Sequence, residues 1–395
     1  MLSETRAGYR HTVYACYLGY ITQAIVNNFA PLLFLTFREQ FGVGLARISV
    51  LVALNFGVQL LVDLLAVRFA DRIGYRICIV AAHVFAAAGL GALALLPRLL
   101  PDPFAGLCAA VVIYAVGGGL IEVLVSPIVE AAPSENKAAA MSLLHSFYCW
   151  GHVFVILCST LFFRLCGVER WPILACLWLL VPLANVFYFA AVPIRPPVAA
   201  SEQLPLGALL RQKLFWILFL LMLCAGAAEQ SMSQWASAFA EAGLGVSKTV
   251  GDLAGPCLFA ALMGAARAIY GKCGARLPLK TAMACSCGLC IVCYLLACLT
   301  AHPALGLLGC ALCGFSVGML WPGTFSVAAQ TCPAGGTAMY ALLALAGDLG
   351  CGGGPTLVGR ATALFGGELK PALLLGLLFP LLMLLLLPFA KRGEN

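Results

Sequence analysis

Apolar residues along this chain come in long runs, each closed by a short polar or Gly- and Pro-bearing stretch. A run of about 20 mostly apolar residues reads as a helix able to cross a lipid bilayer. The pattern predicts spans at 9–36, 46–67, 77–97, 104–131, 138–163, 171–193, 214–238, 249–270, 279–300, 303–331, 336–364 and 370–390. The connection from Ile194 to Leu210 is the longest and holds Pro196, Pro197 and Pro205. It divides the chain into an N-terminal six-helix bundle at 1–193, a central loop at 194–213 and a C-terminal six-helix bundle at 214–395. The expected fold class is therefore all-α and polytopic, twelve transmembrane helices in two bundles, with the lipid bilayer as first partner.

Composition agrees. Only 10% of the 395 residues are charged, against about 25% in soluble domains. Cations resist translocation, so their distribution sets orientation. With both termini cytoplasmic, fifteen Lys and Arg fall inside and seven outside, and Arg360 lies near the outer end of span eleven. The net charge of +7 then reflects membrane topology, and no nucleic-acid partner is expected. Met1 to Tyr9 is short and polar and the first apolar run is long, so no cleavable signal is expected.

The nineteen cysteines lie mostly inside apolar runs, for example Cys285, Cys287, Cys290 and Cys293, and read as small buried hydrophobes. His145 and His152 are nearly two turns apart without an obvious third ligand, and the HExxH spacing is absent. Neither a metal nor a cofactor is expected. No phosphate loop, nucleophile elbow or nicotinamide fingerprint occurs, so neither ATP-driven transport nor an enzyme is indicated.

The two halves carry matching positions. Arg68 and Arg267 end even-numbered spans 199 apart, Pro133 and Pro333 lie 200 apart, and Ala140-Met141 and Ala338-Met339 lie 198 apart. A near-constant offset indicates duplication of a six-helix unit, with chance recurrence in low-complexity sequence as the alternative.

Candidate chemistry follows from polar groups inside the spans. An ionisable side chain in hydrocarbon is costly, so it faces a cavity or a partner. Glu122 lies mid-span after Gly117-Gly118-Gly119, Glu229 lies in span seven and Asp348 in a glycine-rich stretch of span eleven. All three are proton-coupling candidates, because burial favours the neutral carboxyl and so permits proton exchange. The alternative is a hydrogen-bonded structural acid, and for Asp348 close helix packing. Asp63, a turn or two from a cytoplasmic loop, reads as a structural contact. Polar stripes come next. Gln23 and Asn27 share a face with Tyr20, Asn28 is adjacent, and Asn55 and Gln59 are spaced i, i+4. His145, Tyr148 and His152 share a face of span five, while Gln230, Gln234 and Trp235 follow Glu229, and Trp321 opens Trp-Pro in span ten. Amides bond hydroxyls in both directions and aromatic faces pack on sugar rings, so these are candidate substrate-binding groups. Interhelical polar contacts are the alternative.

Val67 to Arg76 adds a motif. Asp71, Arg72, Gly74 and Arg76 resemble the signature loop between helices two and three of the major facilitator superfamily, Gly-x-x-x-Asp-Arg-x-Gly-Arg-Arg, with Val67 and Tyr75 departing from it. The likeness covers essentially the whole chain. Asn136–Gly151, Gly264–Lys272 and Ala346–Gly359 resemble stretches of the fucose–galactose–glucose proton symporter group and related bacterial sugar permeases. The resemblance implies alternating access, a gating role for Asp71, Arg72, Gly74, Arg76 and Arg267, and a proton on Glu122. That group also has an acidic residue in helix one, where this chain has Gln23, Asn27 and Asn28. The expectation is proton-coupled uptake of a sugar-like or other small polar solute, by a monomer in the plasma membrane. A proton-coupled exporter of drugs or amphiphiles, or a non-transporting receptor or membrane-embedded enzyme, is the alternative.

Overall fold

The first span breaks where its proline falls. Helix α1, Arg6–Asn28, passes into a 3-10 turn at Ala30–Leu33 that contains Pro31, and α2 resumes at Phe34–Phe41. Proline lacks a donor and its ring clashes with the preceding turn, so the α pattern stops there. The computed structural model describes the backbone of residues 6–133, 137–195, 206–273, 278–332 and 336–391. It also describes their side chains, except at 6–7, 66–72, 130, 137–143, 206, 270–273, 329, 336–338 and 340–341.

Helix α3, Leu45–Ile73, runs six residues past its expected end, and α4, Tyr75–Leu99, starts two residues later. The polar turn expected over 67–76 is thus compressed into Gly74. Nothing before it breaks a helix, and Gly74 has φ 97°, a backbone state that side-chain-bearing residues rarely adopt. Next come α5, Pro103–Ala131, capped by Asp102 accepting from the Phe104 amide at 3.0 Å, α6, Lys137–Cys166, and α7, Trp171–Ala191. An Asp at this position satisfies an amide that the helix itself leaves open.

After the central connection come α8, Leu206–Leu210, α9, Lys213–Ser233, and α10, Ala236–Ala238. Two π-helical turns, Phe239–Gly243 and Leu253–Cys257, flank α11, Lys248–Asp252. The remainder is α12, Leu258–Cys273, α13, Leu279–Leu299, α14, Pro303–Val317, α15, Leu320–Thr331, α16, Gly336–Ala361, α17, Leu369–Leu373, and α18, Leu378–Leu386. Among the described residues no strand occurs. Among the described residues eleven helical stretches are long and apolar enough to cross a membrane, and the 26-residue α16 makes the count consistent with twelve.

The chain forms two compact units. One holds the chain up to Val43 and from Leu54 to the central connection; the other holds Gly44–Ala53 and the chain after that connection. In the first, α4 packs along α5 and α7, and α1 along α5 and α6. Its core joins Ile79, Ala82, Ile121, Val125, Leu144 and Phe189. Arg76 donates to the carbonyls of Phe189 and Ala190, both at 2.9 Å, and so closes the C-terminus of α7. In the second unit α9 lies along α16. A Cβ at Gly350 would strike the Leu223 carbonyl. The glycines around Asp348 therefore let two backbones touch, the close packing that joins helices where lipid offers no hydrophobic drive.

Candidate functional site

Within the first unit, five polar side chains from three helices form one hydrogen-bonded chain. Gln23 of α1 donates through Nε2 to Gln59 Oε1 of α3 at 2.9 Å and to Glu122 Oε2 of α5 at 3.1 Å. Gln59 Nε2 in turn donates to Asn27 Oδ1 and Asn55 Oδ1, each at 2.9 Å, and Asn55 Nδ2 donates to Asn27 Oδ1 at 3.0 Å. The amides are buried, with Gln23 2% and Gln59 1% exposed. The helical spacing that put Gln23 beside Asn27, and Asn55 beside Gln59, supplies two pairs; packing joins them.

Glycines make the approach possible. A Cβ at Gly119 would lie 2.9 Å from both the Cα and the carbonyl oxygen of Gln59. One at Gly118 would lie 3.1 Å from the Gln59 amide carbon and 3.2 Å from Gln23 Oε1. The glycine run before Glu122 is thus the surface against which the two glutamines rest.

The same unit extends the polar surface toward α6. Asn28 Nδ2 donates to the Tyr148 hydroxyl at 3.3 Å and to the Ala24 carbonyl at 3.0 Å. Tyr20 shares a hydrogen bond with Ser126 at 3.1 Å, and its ring centre lies 5.3 Å from that of His145, which is exposed. His152 is buried, 6.5 Å from the Tyr148 ring.

The second unit holds a different arrangement. Glu229 of α9 and Arg267 of α12 form an ion pair at 3.3 Å, and Arg267 Nε also donates to the Gly318 carbonyl at 3.3 Å. Gln230 donates to Glu229 Oε1 at 3.3 Å, and Gln234 to Gln230 Oε1 at 3.0 Å. Trp235 is fully buried and donates its indole N–H to the Pro355 carbonyl at 2.9 Å. Trp321 lies against Gly347, where a Cβ would strike its ring, and Asp348 is buried beside that contact on α16.

The candidate residues therefore sort into groups. Gln23, Asn27, Asn55, Gln59 and Glu122 meet directly; Asn28, Tyr148 and His145 border them through Tyr20 and Ala24 of α1. Gln234, Gln230 and Glu229 are bonded in series, and Glu229 meets Arg267. The side chains of Asp71 and Arg72 lie outside the described residues, while Gly74 makes the turn and Arg76 closes α7. Sequence reading missed the pairing of Glu229 with Arg267, which are 38 residues apart on different spans. It also missed Ser126 as the partner of Tyr20. The signal for Ser126 was its place one turn beyond Glu122 on the same helix.

Comparison with known proteins fixes the family. The sequence pattern of the Major Facilitator Superfamily matches residues 16–355. Among curated proteins none matches. Among solved structures, the E. coli fucose:proton symporter aligns with a TM-score of 0.67 at 14% identity, over 98% of this chain and 100% of that one. A bacterial homologue of the human lysosomal transporter Spinster, in an inward-facing and occupied conformation, aligns with a TM-score of 0.73 at 13% identity, over 97% and 96%. At such identity the likeness is one of fold. The chain belongs to the Major Facilitator Superfamily, multi-pass membrane transporters of small molecules rather than enzymes.

Proposed function

We propose that this protein takes up a small hydroxylated, sugar-like solute together with protons, by alternating access. In this reading it acts as a monomer in the plasma membrane with cytoplasmic termini, and its halves at 1–193 and 214–395 are joined by the loop at 194–213. The observation that carries the reading is the chain of four amides ending on the Glu122 carboxyl. Amides donate and accept, as a hydroxyl-bearing solute requires, and a carboxyl within reach supplies a proton site. A cluster dominated by amides, with aromatic rings only at its border, favours a sugar over an amphiphile. The fucose:proton symporter is a neighbour in fold, and its name points the same way.

The test is flux in proteoliposomes, using a panel of radiolabelled sugars and other polar solutes with and without an inward pH gradient. Accumulation is expected only with the gradient. Glu122→Gln is expected to keep exchange across the membrane and to lose uphill accumulation. If Glu122→Gln still concentrates solute, the coupling site moves to Glu229 or Asp348. Absence of flux for the whole panel overturns the uptake reading. In the same reading Asp71, Arg72, Gly74, Arg76 and Arg267 hold the cytoplasmic side shut, so Asp71→Asn slows transport and leaves binding intact. Unchanged transport at equal expression would leave that stretch a topological role alone.

A further inference from the structure

A carboxylate that accepts from an amide decides which end of that amide faces it. Gln23 presents Nε2 to Glu122, so its Oε1 points elsewhere, and that buried oxygen has no hydrogen-bond partner among the described residues. The second N–H of Gln23 meets Gln59 Oε1, which obliges Gln59 to present Nε2 to Asn27 and Asn55. Asn55 then donates to Asn27. One carboxylate thus sets the polarity of four amides in series.

A proton on Glu122 reverses the requirement, because a protonated carboxyl carries an O–H donor. Turning the Gln23 amide over presents Oε1 to that O–H. Gln59 must then turn to donate to Gln23 Oε1. Asn27 and Asn55 turn to donate to Gln59 Oε1, and Asn27 donates to Asn55 Oδ1. The same five contacts are made in both arrangements, each with its direction inverted. At the far side of Gln23 the turn breaks no hydrogen bond, since Oε1 has none to lose. The proton comes from water and stays on Glu122. No N–H bond breaks, and only side-chain torsions change.

We infer that Gln23 and Gln59 are positioning residues that pass the protonation state of Glu122 to Asn27 and Asn55 as a concerted reversal of amide polarity. The inference rests on the reading of Glu122 as the coupled proton's site. It gives that proton a way to change what the amide cluster offers a solute, donors in one state and acceptors in the other. Other titratable groups stand on the helices packed around Glu122, and each must be separated from it. They include Asp63 on α3, His83 on α4, Tyr20 on α1, and His145, Tyr148 and His152 on α6. His83 is already bonded to the Ile79 carbonyl at 2.8 Å and to Asn185 at 2.8 Å. Two arginines on those helices are engaged elsewhere: Arg76 is turned to the end of α7 and Arg10 bonds Tyr14 at 3.2 Å.

The test is infrared difference spectroscopy of the full chain in lipid bilayers through a pH titration, with no solute added. The side-chain amide carbons of glutamine or of asparagine are isotope-labelled in separate samples. In the wild type the carboxyl band and both amide bands are expected to shift at one common midpoint. Glu122→Gln is expected to lose all three shifts, which assigns them to Glu122 rather than to its titratable neighbours. Gln59→Met, close in volume, is expected to keep the carboxyl titration and the glutamine shift and to lose the asparagine shift; Gln59→Leu makes the same cut if the first variant does not fold. Amide bands that stay still while the carboxyl titrates overturn the relay and leave the Glu122 reading standing. An asparagine shift that persists in both Gln59 variants does the same. A wild-type spectrum that Glu122→Gln leaves unchanged overturns both.

Discussion

Two carboxylates inside the helices meet opposite chemistry. Glu122 accepts from the amide of Gln23, whereas Glu229 is paired with the guanidinium of Arg267. An amide has a donor end and an acceptor end and can turn either toward a carboxyl group, but a guanidinium has donors only. The first cluster can keep its hydrogen bonds when its acid gains a proton. The second cannot, because a proton on Glu229 would leave Arg267 facing a neutral group with its own charge poorly compensated. The first arrangement suits an acid that changes state, and the second suits a charge pair that ties α9 to α12.

The largest expected effect breaks the charge pair. Arg267→Met should destabilise the protein by about 3 kcal/mol, the low end for a buried pair, since Arg267 remains partly exposed. Thermal unfolding in detergent would read it, and Glu229→Gln added to it should restore most of the loss. Equal midpoints for the single and double variants would mean that a stranded charge on Glu229 does not cause the loss. Next comes the glycine surface of the amide cluster. Gly119→Ala drives a Cβ against the Gln59 backbone and should cost about 2 kcal/mol by overpacking. Gly118→Ala meets only the ends of flexible side chains and should cost less, yet both should reduce solute uptake at matched expression. Full uptake in Gly119→Ala would show that the cluster tolerates a shift of α3 against α5.

Gln23→Leu should cost about 1.5 kcal/mol, the loss of a hydrogen bond to a carboxylate partly offset by apolar packing. Against Arg267→Met it measures how differently the two acids are held. The smallest effect lies between the seventh and eighth spans, at Glu241. Burial pushes its carboxyl above the ordinary value of 4.5, with Lys248 at 3.2 Å opposing and Asp252 adding to the rise. A raised folded-state value stabilises the fold below the unfolded value and loses that contribution as pH climbs through the folded one. Glu241→Gln should therefore unfold at the same temperature as the wild type below about pH 4.5 and at a slightly higher one as pH rises. A gap that shrinks with rising pH would reverse the sign and show Lys248 to dominate.

Much of the architecture is legible in the residue pattern. Apolar runs longer than a bilayer is thick admit few other folds, and the spans at 77–97, 104–131, 171–193 and 279–300 reappear as α4, α5, α7 and α13 within a few residues. Boundaries failed where irregular helix continues a span. Pro31 interrupts the first helix without ending it, so the span reaches Phe41. The second runs on to Ile73 because only Gly74 can leave the helical state. Among site residues, helical spacing exposed the pairs within a helix but was silent on pairs between helices.

What the sequence determined by itself was membrane insertion, helix content and the identity of the polar groups placed in the spans, since these depend on local composition and on the cost of charge in hydrocarbon. Tertiary structure alone decided that Gln59 would stand between Gln23 and Asn27, and that Glu229 would meet Arg267. Those contacts arise from how closely helices approach, which glycines on one helix and side-chain volumes on the next settle together. The same residue types at the same spacing would make amide ladders or ion pairs, depending on which helix packs beside them.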